Sequence, residues 1–179
     1  MRFDPLPLEG AHVVTREPNS DERGSFARIW SSAEFAEHGL AATIVECSLS
    51  VTPRRGTLRG LHYQRPPHEE AKYVTCLQGS IWDVIVDLRN DSPTYRRWHG
   101  MPLSGEELSA LYVPEGFAHG FLTLSDDVVV LYQMSAPHVA DAATGIRWDD
   151  PAFAIDWPEP PLMVGVRDQG FPDYEQSHG

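Results

Sequence analysis

Apolar residues recur in short alternating runs, interrupted roughly every 8–12 residues by turn-forming clusters. The interruptions are Asp21-Glu22-Arg23-Gly24, Pro53-Arg54-Arg55-Gly56, Pro66-Pro67, Gln78-Gly79, Asn90-Asp91-Ser92-Pro93, Ser104-Gly105, Pro114-Glu115-Gly116 and Ser125-Asp126-Asp127. Between them lie β-rich segments at 43–51, 57–64, 72–77, 81–88, 110–113, 119–124 and 128–134. A two-residue period in segments this short predicts an all-β sandwich or barrel. Only 32–37 offers a helix start, with Ser32 as its N-cap and Phe35 as its apolar contact. No repeat interrupts the pattern, so one domain is expected over 1–179. Its Pro-rich end, from Trp157 onward, should wrap the fold, with a frayed tail over 173–179.

Parity along two segments bears on chemistry. In 81–88, Trp82, Val84, Val86 and Leu88 share one face, and Asp83 and Asp87 share the other with Ile81 and Ile85. A carboxylate inside such an alternation needs a partner, because an unpaired buried charge is costly. His119 is the candidate for Asp83. In 58–64, His62 lies on the face of Leu58, Gly60 and Gln64, and strict alternation sends Arg59 the other way. A bulge at Gly60 would relax that rule.

Composition narrows the functional classes. The 179 residues are 41% hydrophobic, enough for a real core, and a domain of this size buries roughly 70% of its unfolded surface. Fourteen Lys and Arg against 26 Asp and Glu give a net charge of −12. Such a surface repels phosphate backbones, so nucleic acid and anionic membrane are not expected partners. Any anionic ligand must meet a local cluster of cations. The first residues lack a signal-like apolar run, no stretch approaches a membrane span, and Cys47 and Cys76 form no disulfide framework. The sequence therefore reads as a soluble cytoplasmic protein.

The chemistry centres on two histidines. Pro114-Glu115-Gly116-Phe117-Ala118-His119 is a tight turn feeding a strand, and it resembles the second motif of the cupin barrels. His62, in Leu58-Arg59-Gly60-Leu61-His62-Tyr63-Gln64, stands where the first cupin motif would place an imidazole. A metal-binding cupin usually carries His-x-His there. Here the second position is Gln64, a poor transition-metal ligand, although His62, Glu69 or Glu70, and His119 could still form a facial set. The expectation is no metal.

Seven stretches occur in order: Arg23-Gly24-Ser25-Phe26, 58–64, 83–89, Ser92-Pro93-Thr94-Tyr95, 114–121, 145–151 and Trp157-Pro158. Together they resemble the dTDP-4-dehydrorhamnose 3,5-epimerase family over essentially the whole chain. The resemblance implies a cupin-type jelly-roll barrel with a few short helices and no cofactor. It also implies an epimerase acting on a 4-keto-6-deoxyhexose linked to a nucleoside diphosphate, and a homodimer with exchanged N-terminal strands. By that resemblance His62 is the base, Asp168 orients it, Tyr132 is the proton donor on the opposite face, and Lys72 stands beside the enolate oxygen. Arg23, Phe26, Arg59 and His119 match substrate-binding positions, Arg23 and Phe26 in cis or in trans.

The departures from the family fall on nucleotide-handling positions. Arg28 replaces a usual Glu, Glu46 and Ser48 replace Gln and Asn, His138 replaces an aromatic residue, Ala143 replaces a Glu, and Arg167 replaces a Lys. The proton-transfer set is intact, so the expected reaction is inversion at C3, and at C5 as well, with a nucleotide preference that is not simply dTDP and the sugar left open. A 3-epimerase, a nucleotide-sugar ketoisomerase and a non-catalytic sugar-nucleotide-binding cupin are the alternatives.

Overall fold

The computed structural model describes residues 1–174. In chain order its strands begin with β1 (Arg2–Pro5), β2 (His12–Thr15), β3 (Asn19–Asp21) and β4 (Gly24–Phe26). Helix α1 (Ser32–Glu37) precedes β5 (Glu46–Thr52), β6 (Thr57–Gln64), β7 (Lys72–Gln78) and β8 (Ser80–Asp87). Then come β9 (Trp98–Ser104), β10 (Ser109–Val113), β11 (Phe117–Thr123), β12 (Val128–Met134), β13 (Ala143–Gly145), β14 (Met163–Val164) and α2 (Val166–Gln169).

Two antiparallel sheets face each other. One runs β1-β2-β10-β7-β12-β5 and the other β13-β6-β11-β8-β9, with β14 added parallel to β6. This is the expected jelly-roll architecture, built as two facing sheets that do not close into one hydrogen-bonded ring. Between them lie Val74, Cys76, Leu111 and Val130 from the first sheet, and Ile81, Ile85, Phe117 and Phe121 from the second. The parity of 81–88 holds, since Val84 and Val86 point away from that core into a second cluster with Ala118, Ile146, Phe153 and Tyr174. The second sheet is thus covered on both faces, and all of β11 is buried. A third cluster packs Phe35 of α1 edge-on to Tyr73, with ring centroids 5.1 Å apart.

The differences from the sequence reading are local. The cap of α1 is Ser31, whose hydroxyl accepts from the Glu34 N–H, and not Ser32. Strand β9 was hidden by Gly100 and Pro102; Pro is tolerated because β9 is an edge. The covering segment begins before Trp157, since Ile146, Trp148 and Phe153 already pack on the second sheet. The expected fraying from residue 173 does not hold for its first two positions. Asp173 lies 2.7 Å from the Arg147 guanidinium and Tyr174 is buried, while 175–179 lie outside the described residues.

Asp87, fully buried at the end of β8, ties the β8–β9 connection together. It accepts from the Arg89 guanidinium at 2.8 and 2.9 Å, from the Arg89 N–H, and from the hydroxyls of Ser92 and Thr94. Burial pushes its pKa up, but these hydrogen bonds outweigh it and hold the carboxyl below its ordinary 3.8. The stability it contributes is therefore present above that value and is lost as pH falls through the lowered native one. Asp87→Asn should cost about 2–3 kcal/mol at pH 7, read as a lower urea midpoint. The same variant should lose stability less steeply than the wild type on acidification below about pH 4.

Candidate active site

The site is organised by a β-bulge. Strand β6 pairs with β11 as His119 opposite His62 and Phe121 opposite Arg59, so Gly60 and Leu61 together face Gly120 alone. Gly60 has φ of 130°, and a Cβ there would lie 2.5 Å from the Gly120 Cα. Only glycine fits that approach. The extra residue breaks strict alternation, so Arg59 and His62 line the same cavity.

Helix α2 carries Asp168 to the bulge. The carboxylate is 2.7 Å from His62 Nε2 and accepts from the Gly60 N–H at 3.1 Å. Burial raises the Asp168 pKa, but the His62 hydrogen bond and charge, the Gly60 amide and Arg167 together bring it below its ordinary value. An ionised carboxylate fixes the proton on Nε2 and leaves Nδ1 as a lone-pair base.

Two further groups flank His62. Lys72 opens β7 almost fully buried, and its ammonium donates to the His62 carbonyl at 3.1 Å and lies 3.2 Å from Glu70. Burial lowers its pKa, opposed by the charges of Glu70 and Asp83. Tyr132, on β12, meets the His119 ring edge-on at 5.8 Å. Burial and the Asp83 charge push the Tyr132 hydroxyl well above its ordinary value, with Arg59 opposing, so it stays protonated. His119 is held by both Asp83 oxygens at 2.9 and 3.0 Å, as parity suggested. Burial raises the Asp83 carboxyl against the His119 interaction.

Two adjoining cavities meet at His62, Lys72 and Tyr132. One, of about 310 Å³, is also lined by Glu46, Ser48, His138 and Arg167. The other, of about 270 Å³, is also lined by Ser50, Arg59, His119 and Asp168. Glu46 is tethered to the His138 N–H at 3.2 Å, and the Arg167 guanidinium donates to the Ala143 carbonyl at 3.1 Å. Arg59 is braced by the buried Thr52 hydroxyl at 2.9 Å.

Three predicted residues stand apart from these cavities within the chain. Arg23 and Phe26 lie on the exposed β3–β4 hairpin, with Arg23 paired to Asp21 and Phe26 76% exposed. Arg28 pairs with Glu34 of α1. The facial metal set is not assembled: among the described residues no group of three or more His, Cys, Asp or Glu is placed to hold an ion. Gln64 is instead bonded to Glu70, the His68 carbonyl and the Val139 N–H. The sequence reading missed Thr52 behind Arg59, for which local pattern gives no signal. It also missed Glu70 beside Lys72, although two residues of separation on an extended chain put them on one side.

Comparison with known proteins agrees with this geometry. The profile of the dTDP-4-dehydrorhamnose 3,5-epimerase family matches residues 5–176. A dTDP-4-dehydrorhamnose 3,5-epimerase of Methanothermobacter thermautotrophicus is 44% identical over 157 residues, which is 88% of this chain and 84% of the relative. The crystal structure of the Elizabethkingia anophelis NUHP1 dTDP-4-dehydrorhamnose 3,5-epimerase superposes with a TM-score of 0.96 at 35% identity, covering 100% of this chain and 99% of that one. A 3′-monoepimerase from Streptomyces bikiniensis, in complex with dTDP-quinovose, gives a TM-score of 0.87 at 31% identity, covering 97% and 90%. Matches of this extent, over a site of this construction, place the chain among the isomerases: it belongs to the dTDP-4-dehydrorhamnose 3,5-epimerase family.

Proposed function

We propose that the protein inverts C3 and C5 of a dTDP-linked 4-keto-6-deoxyhexose in deoxysugar biosynthesis. The observation that carries this reading is the meeting of His62, Lys72 and Tyr132 where the two cavities join. The dTDP linkage rests on the relatives' names. A ketone acidifies the C–H bonds on both of its sides. His62 Nδ1 takes the C3 proton, the C–H electrons form the C3–C4 double bond, and the C4 oxygen becomes an enolate. The Lys72 ammonium stabilises that oxygen, where a fixed cation in a dry site is worth more than in water. Tyr132 returns a proton to C3 from the opposite face and recovers its own from solvent, as His62 releases the one it took. The same cycle at C5 completes the double inversion. Inversion at C3 alone is the second reading, favoured by the likeness to the 3′-monoepimerase.

The diphosphate needs cations on a protein of net charge −12, and Arg59 and Arg167 at the cavity walls suit it. Arg23, Phe26 and Arg28 enter this reading through a homodimer, each hairpin reaching the partner's site. The exposure of Phe26 supports that arrangement, as does the β5 sheet edge, where Leu49 and Val51 are 61% and 63% exposed. Among the described residues no helix is long and apolar enough to cross a membrane.

In deuterated buffer the wild type should place deuterium at C3 and C5. His62→Asn should reduce that exchange by about 10² to 10⁴. Tyr132→Phe should leave washout at C3 but yield little inverted product. Lys72→Ala should slow exchange and inversion alike. Near-wild-type exchange in His62→Asn would put the base elsewhere, and exchange confined to C3 would favour the 3-epimerase.

Turnover should persist in excess chelator, since Gln64 stands where a second metal imidazole would be and Lys72 supplies the positive charge. Loss of activity on chelation, restored by one added divalent ion, would defeat the enolate role of Lys72.

Calorimetric titration with dTDP, UDP, CDP and GDP should rank dTDP tightest. Another order would reassign the base to the donor and acceptor set of Glu46, Ser48 and His138, and leave the proton chemistry standing.

A further inference from the structure

Glu70 takes no part in the scheme above, yet it is built into its edge. Its side chain is only 9% exposed and lines the larger cavity. One oxygen, Oε1, lies 3.2 Å from Lys72 Nζ, and the other accepts from the Gln64 side-chain amide. Gln64 is itself fixed on further sides. Its Nε2 donates also to the His68 carbonyl at 2.8 Å, with the Pro137 carbonyl near at 3.2 Å, and its Oε1 accepts from the Val139 N–H at 2.6 Å. The chain of contacts runs from the 137–139 loop through Gln64 and Glu70 to the ammonium.

An ammonium on a four-carbon stem has many rotamers, and a cation serves a developing oxyanion best when it is placed beforehand. Lys72 has three N–H donors. Glu70 and the His62 carbonyl take two of them, which leaves one for a ligand in the cavity. We propose that Gln64 and Glu70 form a buried strut that positions the Lys72 ammonium for the enolate oxygen, making Glu70 a positioning residue and not merely a counter-ion. This rests on the enolate role of Lys72 given above.

The groups facing Lys72 are Glu70 ahead of its strand, His62 and Arg59 on β6, Asp83 on β8, His119 on β11 and Tyr132 on β12. Burial draws the Lys72 pKa down, and Glu70 and Asp83 oppose that. With the Glu70 charge removed, the ammonium gives up its proton at a lower pH, and the alkaline limb of kcat moves in the acid direction.

The test compares Glu70→Ala, Glu70→Gln, Gln64→Leu and Lys72→Ala, each checked for wild-type dTDP affinity and thermal melting. Glu70→Ala should lower kcat about 10-fold or more with KM within about 3-fold, because placement matters to the transition state more than to binding. Glu70→Gln keeps an oxygen acceptor for Nζ and should recover most of kcat, while its alkaline limb stays acid-shifted. Gln64→Leu should lower kcat in the direction of Glu70→Ala, with the limb closer to wild type. If Glu70→Ala does not fold, Glu70→Gln and Gln64→Leu carry the test. Wild-type kcat with an unmoved alkaline limb in the Glu70 variants would overturn the strut. Equal losses in Glu70→Ala and Glu70→Gln would overturn it too, in favour of a charge role alone. Unimpaired turnover in Lys72→Ala would instead defeat the underlying enolate role.

Discussion

Gly60 and Gly120 meet backbone to backbone in the middle of the second sheet, at a distance that no side chain on either strand permits. The bulge made by that approach has two effects at once. It turns Arg59 and His62, three residues apart, into the same cavity region, where a regular strand would set them on opposite faces. It also leaves the Gly60 N–H outside the β6–β11 ladder, and that amide anchors one oxygen of Asp168 while His62 holds the other. The direction of the His62 imidazole, its tautomer and the reach of the Arg59 guanidinium all depend on this contact.

Around it the protein manages charge by pairing in the interior. Asp83 with His119, Glu70 with Lys72, and Asp168 with His62 are carboxylates buried beside a basic group. Each pairing limits a desolvation cost that an isolated ion would not survive in a folded core. The surface carries most of the acidic excess, and the cavity walls carry Arg59, Lys72 and Arg167. On a molecule with this net charge those cations offer an anionic ligand a local partner.

Much of the fold was legible because period-two alternation and turn chemistry act locally. The strands at 57–64, 72–77, 81–88 and 128–134 need only their own side chains to be recognised. Strand β9 was not legible, because Gly100 and Pro102 weaken the pattern and only an edge position makes Pro102 acceptable. The pairing of Asp83 with His119 followed from parity and the cost of burying a charge. Asp168 could not be reached that way: its segment, Gly165-Val166-Arg167-Asp168, reads as surface, and only family likeness pointed to it. Thr52 escaped because its partner, Arg59, lies on the facing sheet, whereas Glu70 was missed although its two-residue spacing from Lys72 was visible.

Asp168 lies after every strand of both sheets in chain order. During synthesis from the N-terminus, every described strand of the sandwich therefore leaves the ribosome before the carboxylate that holds the His62 imidazole. A chain halted ahead of α2 would hold His62 with no fixed tautomer and the Gly60 amide with no acceptor. The His62–Asp168 contact thus forms only once α2 has been made, after every described strand of both sheets.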